Sequence, residues 1–339
     1  MAAALSLAGC QQEPGGRPDD SSPNASSSGP GPAEIRLPGN AFLSDMVLTG
    51  DGRLWVAQAQ LSAIAEIDTS GKVTQHPLPG RSGYPPYPYD LQVSPDGGIW
   101  YSAGDQLGCL DPSGKFTWWD DGPTTHGNGP GSGDGPGYPD GVTLGPDDTV
   151  WYAHSVRGTP AFSRADKKRG LSGIAVLKGY FSIPAGSITA GPDRAVWFSQ
   201  LYQGGDKSGS DGIGRLTTEG SYKEWPLPKG TNPQKIVAGP DKALWFTERG
   251  GIGRISIDGD VSHFAVRESK HPGGIVLGPD KALWFATDSR VGRITLKGQI
   301  TLWPVRGARE LIGILPVPDG GFWLADRGTD TVRRFSPPH

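Results

Sequence analysis

Asp140, His154 and Glu248 are the side chains best suited to do chemistry in this chain. An imidazole beside carboxylates can serve as acid or base near neutral pH, or ligate a divalent cation. The familiar one-dimensional signatures of other chemistries are missing. No G-x-S-x-G, H-E-x-x-H, C-x-x-C or phosphate loop occurs. Asp206 to Gly212 (DKSGSDG) resembles the start of a calcium loop, but Thr217 stands where such a loop needs an acid. Two cysteines, Cys10 and Cys109, cannot form a disulfide framework. The net charge of −3 gives no basic surface for nucleic acid.

Positioning such distant residues is the work of a repeat. A turn followed by tryptophan recurs seven times, as in SPDGGIWY (94–101), GPDDTVWY (145–152), GPDRAVWF (191–198) and GPDKALWF (239–246 and 278–285). Trp55, Trp100, Trp151, Trp197, Trp245, Trp284 and Trp323 are separated by 45, 51, 46, 48, 39 and 39 residues. A four-stranded propeller blade takes about 40–45 residues. The expected fold is therefore all-β, a seven-bladed β-propeller, with the indoles packed between blades. In the sixth unit the strands are expected at 274–277, 283–286, 291–296 and 300–305. The last unit lacks a fourth strand, and Glu34-Ile35-Arg36-Leu37-Pro38 matches the fourth-strand text Glu224-Trp225-Pro226-Leu227-Pro228. The segment at 34–38 is expected to complete blade 7 and close the ring.

Propeller geometry gathers two sets of residues at one mouth. Those after the second strands are Gln58, Ala103, His154, Gln200, Glu248, Thr287 and Asp326, read as a solvated funnel lining. Those ahead of the inner strands are Ser44, Tyr89, Asp140, Gly186, Gln234, Gly273 and Ile312. Long insertions at 120–140, 155–172 and 200–212 open on the same face, as binding loops do. Tyr89, Gln58, Gln200, Thr287, Asp326 and His126 are the expected ligand contacts. His76 and His263 are assigned to fourth strands at the rim.

The chain is expected in three parts: a truncated lipoprotein signal at 1–10, a tether at 11–33, and the propeller at 34–339. Leu7-Ala8-Gly9-Cys10 reads as a lipobox, with Cys10 taking the lipid. The preceding residues are too few to span a bilayer and lack a basic start, which places the true start upstream. Residues 11–33 are rich in Pro, Ser and Gly, as a tether between anchor and folded head should be. The expected location is the outer face of the cell membrane, held by the lipid alone, with the protein a monomer.

Gly239 to Glu248 (GPDKALWFTE), followed by Ile252-Gly253-Arg254-Ile255, resembles the streptogramin B (virginiamycin B) lyase family, and Gly278 to Ile294 repeats the pattern. The resemblance implies a propeller that opens a cyclic depsipeptide by magnesium-assisted elimination, an antibiotic-inactivating carbon–oxygen lyase reaction. It gives Glu248 the metal-side role and places the base at Gln234, in Pro233-Gln234-Lys235-Ile236. A glutamine amide cannot take a proton, which leaves His154 or Asp140 for that task. Three functions follow: binding of a peptide-like or small-molecule ligand at the mouth, magnesium-dependent lyase or hydrolase chemistry, or docking of a protein partner as in NHL-type repeats.

Overall fold

The computed structural model describes residues 33–80, 85–103, 106–120, 141–156, 159–166, 170–176, 182–202, 210–267, 269 and 272–338. These form seven antiparallel four-stranded sheets. Blades 1 to 6 run in chain order from the inner strand outwards, with inner strands Leu43–Leu48, Pro88–Val93, Gly141–Leu144, Ser182–Ala190, Ile236–Ala238 and Pro272–Leu277. Blade 7 takes its inner three strands from Leu311–Pro316, Phe322–Asp326 and Thr331–Phe335, and its outer strand from Glu34–Arg36. Each inner strand touches the next, including that of blade 7 against blade 1, so the sheets close into a ring. The sixth blade is as expected from the sequence, its strands lying at Pro272–Leu277, Leu283–Thr287, Arg290–Ile294 and Ile300–Pro304.

The repeated text encodes how one blade packs on the next. Side chains alternate along the second strand, so Trp245 and Phe246 face opposite neighbours. Trp245 packs with Ile275, Leu283 and Phe285 of blade 6, whereas Phe246 packs with Leu227 and other residues of blade 4. All seven indoles stand in such inter-blade clusters. An aromatic ring on the outer strand backs several of them, as Trp225 does Trp197 and Trp303 does Trp284, with near-parallel planes and ring centroids 4.9 and 5.3 Å apart.

In blades 3 to 6 the turn aspartate fixes the indole. Asp241 Oδ1 accepts from Trp245 Nε1 at 3.0 Å, and its Oδ2 accepts from Arg254 Nε at 2.7 Å. Asp147, Asp193 and Asp280 accept from Trp151, Trp197 and Trp284 in the same way. A Cβ at Gly239 would run into the Trp245 indole, which explains the glycine that opens the turn. Burial tends to raise these four carboxyls. The hydrogen bonds and paired arginines outweigh it and hold them below the ordinary aspartate range.

The glycine of Ile-Gly-Arg-Ile has a different cause. Phe246 pairs across the strands with Gly253, and the ring lies where a Cβ at that glycine would stand. Phe285 over Gly292 and Tyr101 over Gly108 repeat the arrangement. Phe246 is fully buried and has nowhere to retreat. Gly253→Ala should therefore cost about 1–3 kcal/mol, the usual range for an overpacked core. Urea denaturation checks this, and an unchanged midpoint would show that the ring yields freely.

One expected loop is mostly strand. Residues 155–172 extend the second strand of blade 3 to Val156, form the third at Thr159–Asp166, and begin the fourth at Gly170. The paired backbones satisfy their own hydrogen bonds, which an open loop of that length would leave to water.

Candidate functional site

The second-strand ends do not form a solvated lining. Gln58, Gln200, Thr287 and Asp326 are almost wholly buried, and His154 and Glu248 are 5% and 6% exposed. Glu248, His154, Gln200 and Asp326 bond to their own or adjoining structure, whereas the Gln58 amide and the Thr287 hydroxyl are buried with no hydrogen-bond partner among the described residues. Glu248 reaches His263 on the outer strand of its blade, with Nδ1 at 2.8 and 2.9 Å from the two carboxylate oxygens. Burial pushes the Glu248 carboxyl above the ordinary glutamate range, against the opposing pull of His263. His154 Nε2 lies 3.0 Å from Ser163 Oγ, and its ring stacks on Tyr152 at 4.8 Å. Gln200 accepts from Tyr222, and Asp326 accepts the Arg309 and Glu310 amides.

The residues ahead of the inner strands are more open. Tyr89 is half-buried, and Ser44 Oγ donates to the Pro88 carbonyl at 2.6 Å, joining blades 1 and 2 at the mouth. Gln234 is half-buried and donates through Nε2 to Asn232 at 2.8 Å. Asp140, His126 and Cys10 lie outside the described residues, as do Lys167, Lys168, Lys270 and His271. Cys109 is buried in the third strand of blade 2, and His76 bonds Glu66 at 2.8 Å in blade 1.

Sequence reading passed over the charged groups nearest the axis, which stand one residue further along the chain. Lys235, at the mouth end of blade 5, places Nζ 2.7 Å from Asp90 Oδ1 and 3.5 Å from Asp45 Oδ1. Asp90 and Asp45 belong to the inner strands of blades 2 and 1, which are not neighbours of blade 5. The bridge therefore spans the centre of the ring. Each carboxylate is fixed from behind by an amide of the next blade: Val142 donates to Asp90 Oδ2 and Leu91 to Asp45 Oδ2, both at 2.9 Å. Ser187 does the same for Ile236 at 3.0 Å.

Burial, with Asp45 close by, pushes the Asp90 carboxyl up to about 7 despite the ammonium of Lys235. Burial also opposes the charge on Lys235, but the two carboxylates outweigh it and hold the ammonium charged beyond its ordinary range. A folded carboxyl raised in this way keeps its proton to higher pH than the unfolded chain does. Its contribution favours the folded state at low pH and is lost as pH rises from about 4 through about 7. The turn aspartates act elsewhere, because lowered carboxyls lose their contribution only as pH falls below the ordinary aspartate value. Asp90→Asn should accordingly flatten the pH dependence of stability between about 4 and 7. Chemical denaturation at several pH values would show an unchanged slope if Asp90 titrates normally.

Among the described residues, no three His, Cys, Asp or Glu side chains converge to hold a metal ion. Glu248 already has its partner in His263.

The family model of virginiamycin B lyases matches residues 132–338. No curated protein matches the sequence. A streptogramin B lyase structure is 26% identical and superposes with a TM-score of 0.73, covering 89% of this chain and 96% of its own. A catalytically inactive histidine-to-alanine variant of virginiamycin B lyase from Staphylococcus aureus, solved with quinupristin, is 25% identical. It also has a TM-score of 0.73 and covers 90% of this chain and 98% of its own. YCF48 bound to a D1 peptide shares the fold at 12% identity and a TM-score of 0.65. With more than half its length matched by the family model and the same ring of blades throughout, the chain belongs to the virginiamycin B lyase family.

Proposed function

We propose that this chain is a lipid-anchored, extracytoplasmic propeller that binds a peptide-like ligand at its mouth. Cyclic depsipeptides of the streptogramin B kind are the first candidates. The reading rests on what has been kept and what has changed. The scaffold is shared along nine-tenths of the chain with a relative whose structure contains quinupristin. The position that the family resemblance gives to the base is Gln234, whose amide cannot accept a proton and is tied to Asn232. The position it gives to the metal-side acid is Glu248, buried in a pair with His263. A mouth whose base position holds an amide is better suited to hold such a ligand than to open it.

Calorimetric titration with quinupristin, followed by mass spectrometry of the ligand with and without magnesium, tests this directly. Saturable heat with the ligand recovered intact supports the proposal. A ring-opened product of unchanged mass would replace it with the magnesium-dependent lyase reading, in which His154 or Asp140 supplies the base. An added water would indicate hydrolysis. Absence of both heat and product would leave no support for a depsipeptide site and favour docking of a protein at the blade rim.

A further inference from the structure

Among the described residues of the mouth, Lys235 is a charged group both fixed in place and partly open. Its side chain is 30% exposed, against 9% for Asp90 and 18% for Asp45, so Lys235 is the most open member of the cluster. The ammonium has three N–H donors in a compact head. Asp90 and Asp45 face two of them, and no third acceptor is found among the described residues. Neither carboxylate swings freely, because the Val142 and Leu91 amides hold their other oxygens. The donor is thus preorganised at the centre of the ring, beside Gln234, whose own side chain turns to Asn232.

The charge around it selects the acceptor. Asp90 changes charge about neutrality, so the three groups sum to between 0 and −1, and the cluster offers no net positive charge to a ligand carboxylate or phosphate. A ligand cation would meet the ammonium first. A neutral oxygen pays neither penalty, and backbone carbonyls and esters are such oxygens.

We propose that Lys235 is the ligand-anchoring residue of the funnel, donating its third N–H to a carbonyl or ester oxygen of a peptide-like ring. This rests on the binding reading above and names the contact that reading lacks. The donor is a tethered ammonium, supplied by blade 5 and held by blades 1 and 2.

The probe is quinupristin, titrated calorimetrically into the wild type and two variants. The triple variant Asp45→Asn, Asp90→Asn, Lys235→Met removes the donor without leaving unpaired charge. It should bind about 10- to 100-fold more weakly while melting close to the wild type. Lys235→Arg, which keeps a charged donor, should retain binding within about tenfold. In the full-length wild type, the 15N resonance of the Lys235 ammonium should shift as quinupristin saturates, a readout independent of how well any variant folds. Equal affinity in the triple variant, or an unmoved resonance with the ligand bound, overturns the anchoring role and leaves the binding reading intact. A wild type that does not bind quinupristin removes both.

Discussion

A chain beginning at residue 39 should be less stable than one beginning at residue 33 by about 3–6 kcal/mol, and should aggregate on concentration. The six residues removed include the strand Glu34–Arg36, which pairs Glu34 with Arg333, Ile35 with Val332 and Arg36 with Thr331. Ile35 and Leu37 are 7% and 2% exposed, packed with Met46, Val56 and Ile67 of blade 1 and Ala325 and Val332 of blade 7. Burying one such side chain contributes about 1.5–3 kcal/mol, and two give the range stated. The Leu37 amide also donates to the Asp330 carbonyl at 2.9 Å, and Arg333 bonds Glu34 at 2.6 Å. Losing the strand bares the edge of Thr331–Phe335, an open template for another chain. The loss approaches the whole stability margin of an ordinary domain. Urea denaturation and size-exclusion chromatography of the two chains decide the matter. Coincident unfolding curves would mean that the ring is not closed by this strand.

That closing strand was legible because Glu34 to Pro38 repeats the text of another blade's outer strand. The same is true of everything the repeat encodes. Gly-Pro-Asp with tryptophan six residues after the glycine is a packing instruction: the glycine clears the indole, and the aspartate takes its N–H and the arginine across the strand. The site was harder to read because strand faces alternate with a period of two. The inner strands of blades 1 and 2 carry register shifts between Leu43 and Met46 and between Pro88 and Asp90. An irregularity of this kind changes which side chain meets the axis, so Asp45 and Asp90 stand where Ser44 and Tyr89 are expected; in blade 5 Gln234 and Lys235 both bond to Thr247, with the same result. A signal was available: acids occur at equivalent places in units 1 and 2, and a lysine in unit 5, each followed by a buried apolar residue. The polar second-strand ends misled for another reason. Glu248 pairs with Gly251, and the absent side chain leaves a path along the blade to His263. At Glu248 polarity marks a bond inside the blade, not contact with water.

Replacing Lys235 alone by methionine should cost about 2–4 kcal/mol at pH 8, while the triple variant with Asp45→Asn and Asp90→Asn should lie within about 1 kcal/mol of the wild type. Removing one partner of a buried ion pair commonly costs 3–5 kcal/mol, because the other charge is left uncompensated. The figure is reduced here because Lys235 and Asp45 are 30% and 18% exposed and water shares in screening them. Asp90, at 9%, bears most of the penalty. It can escape by taking a proton, so the cost of Lys235→Met should shrink as pH falls and grow as pH rises past neutrality. The sign follows from the missing ammonium, which in the wild type favours the ionised carboxylate. Denaturant unfolding of the wild type, Lys235→Met, the two asparagine replacements together and the triple variant closes a thermodynamic cycle around the bridge. Lys235→Met as stable as the wild type at pH 8 would show that the ammonium does not hold the carboxylates together. A cost confined to the single variant would instead mean that blades 1, 2 and 5 are joined at the axis by charge alone. Lys235 could then be redirected to a ligand by neutralising its two partners, with the ring left standing.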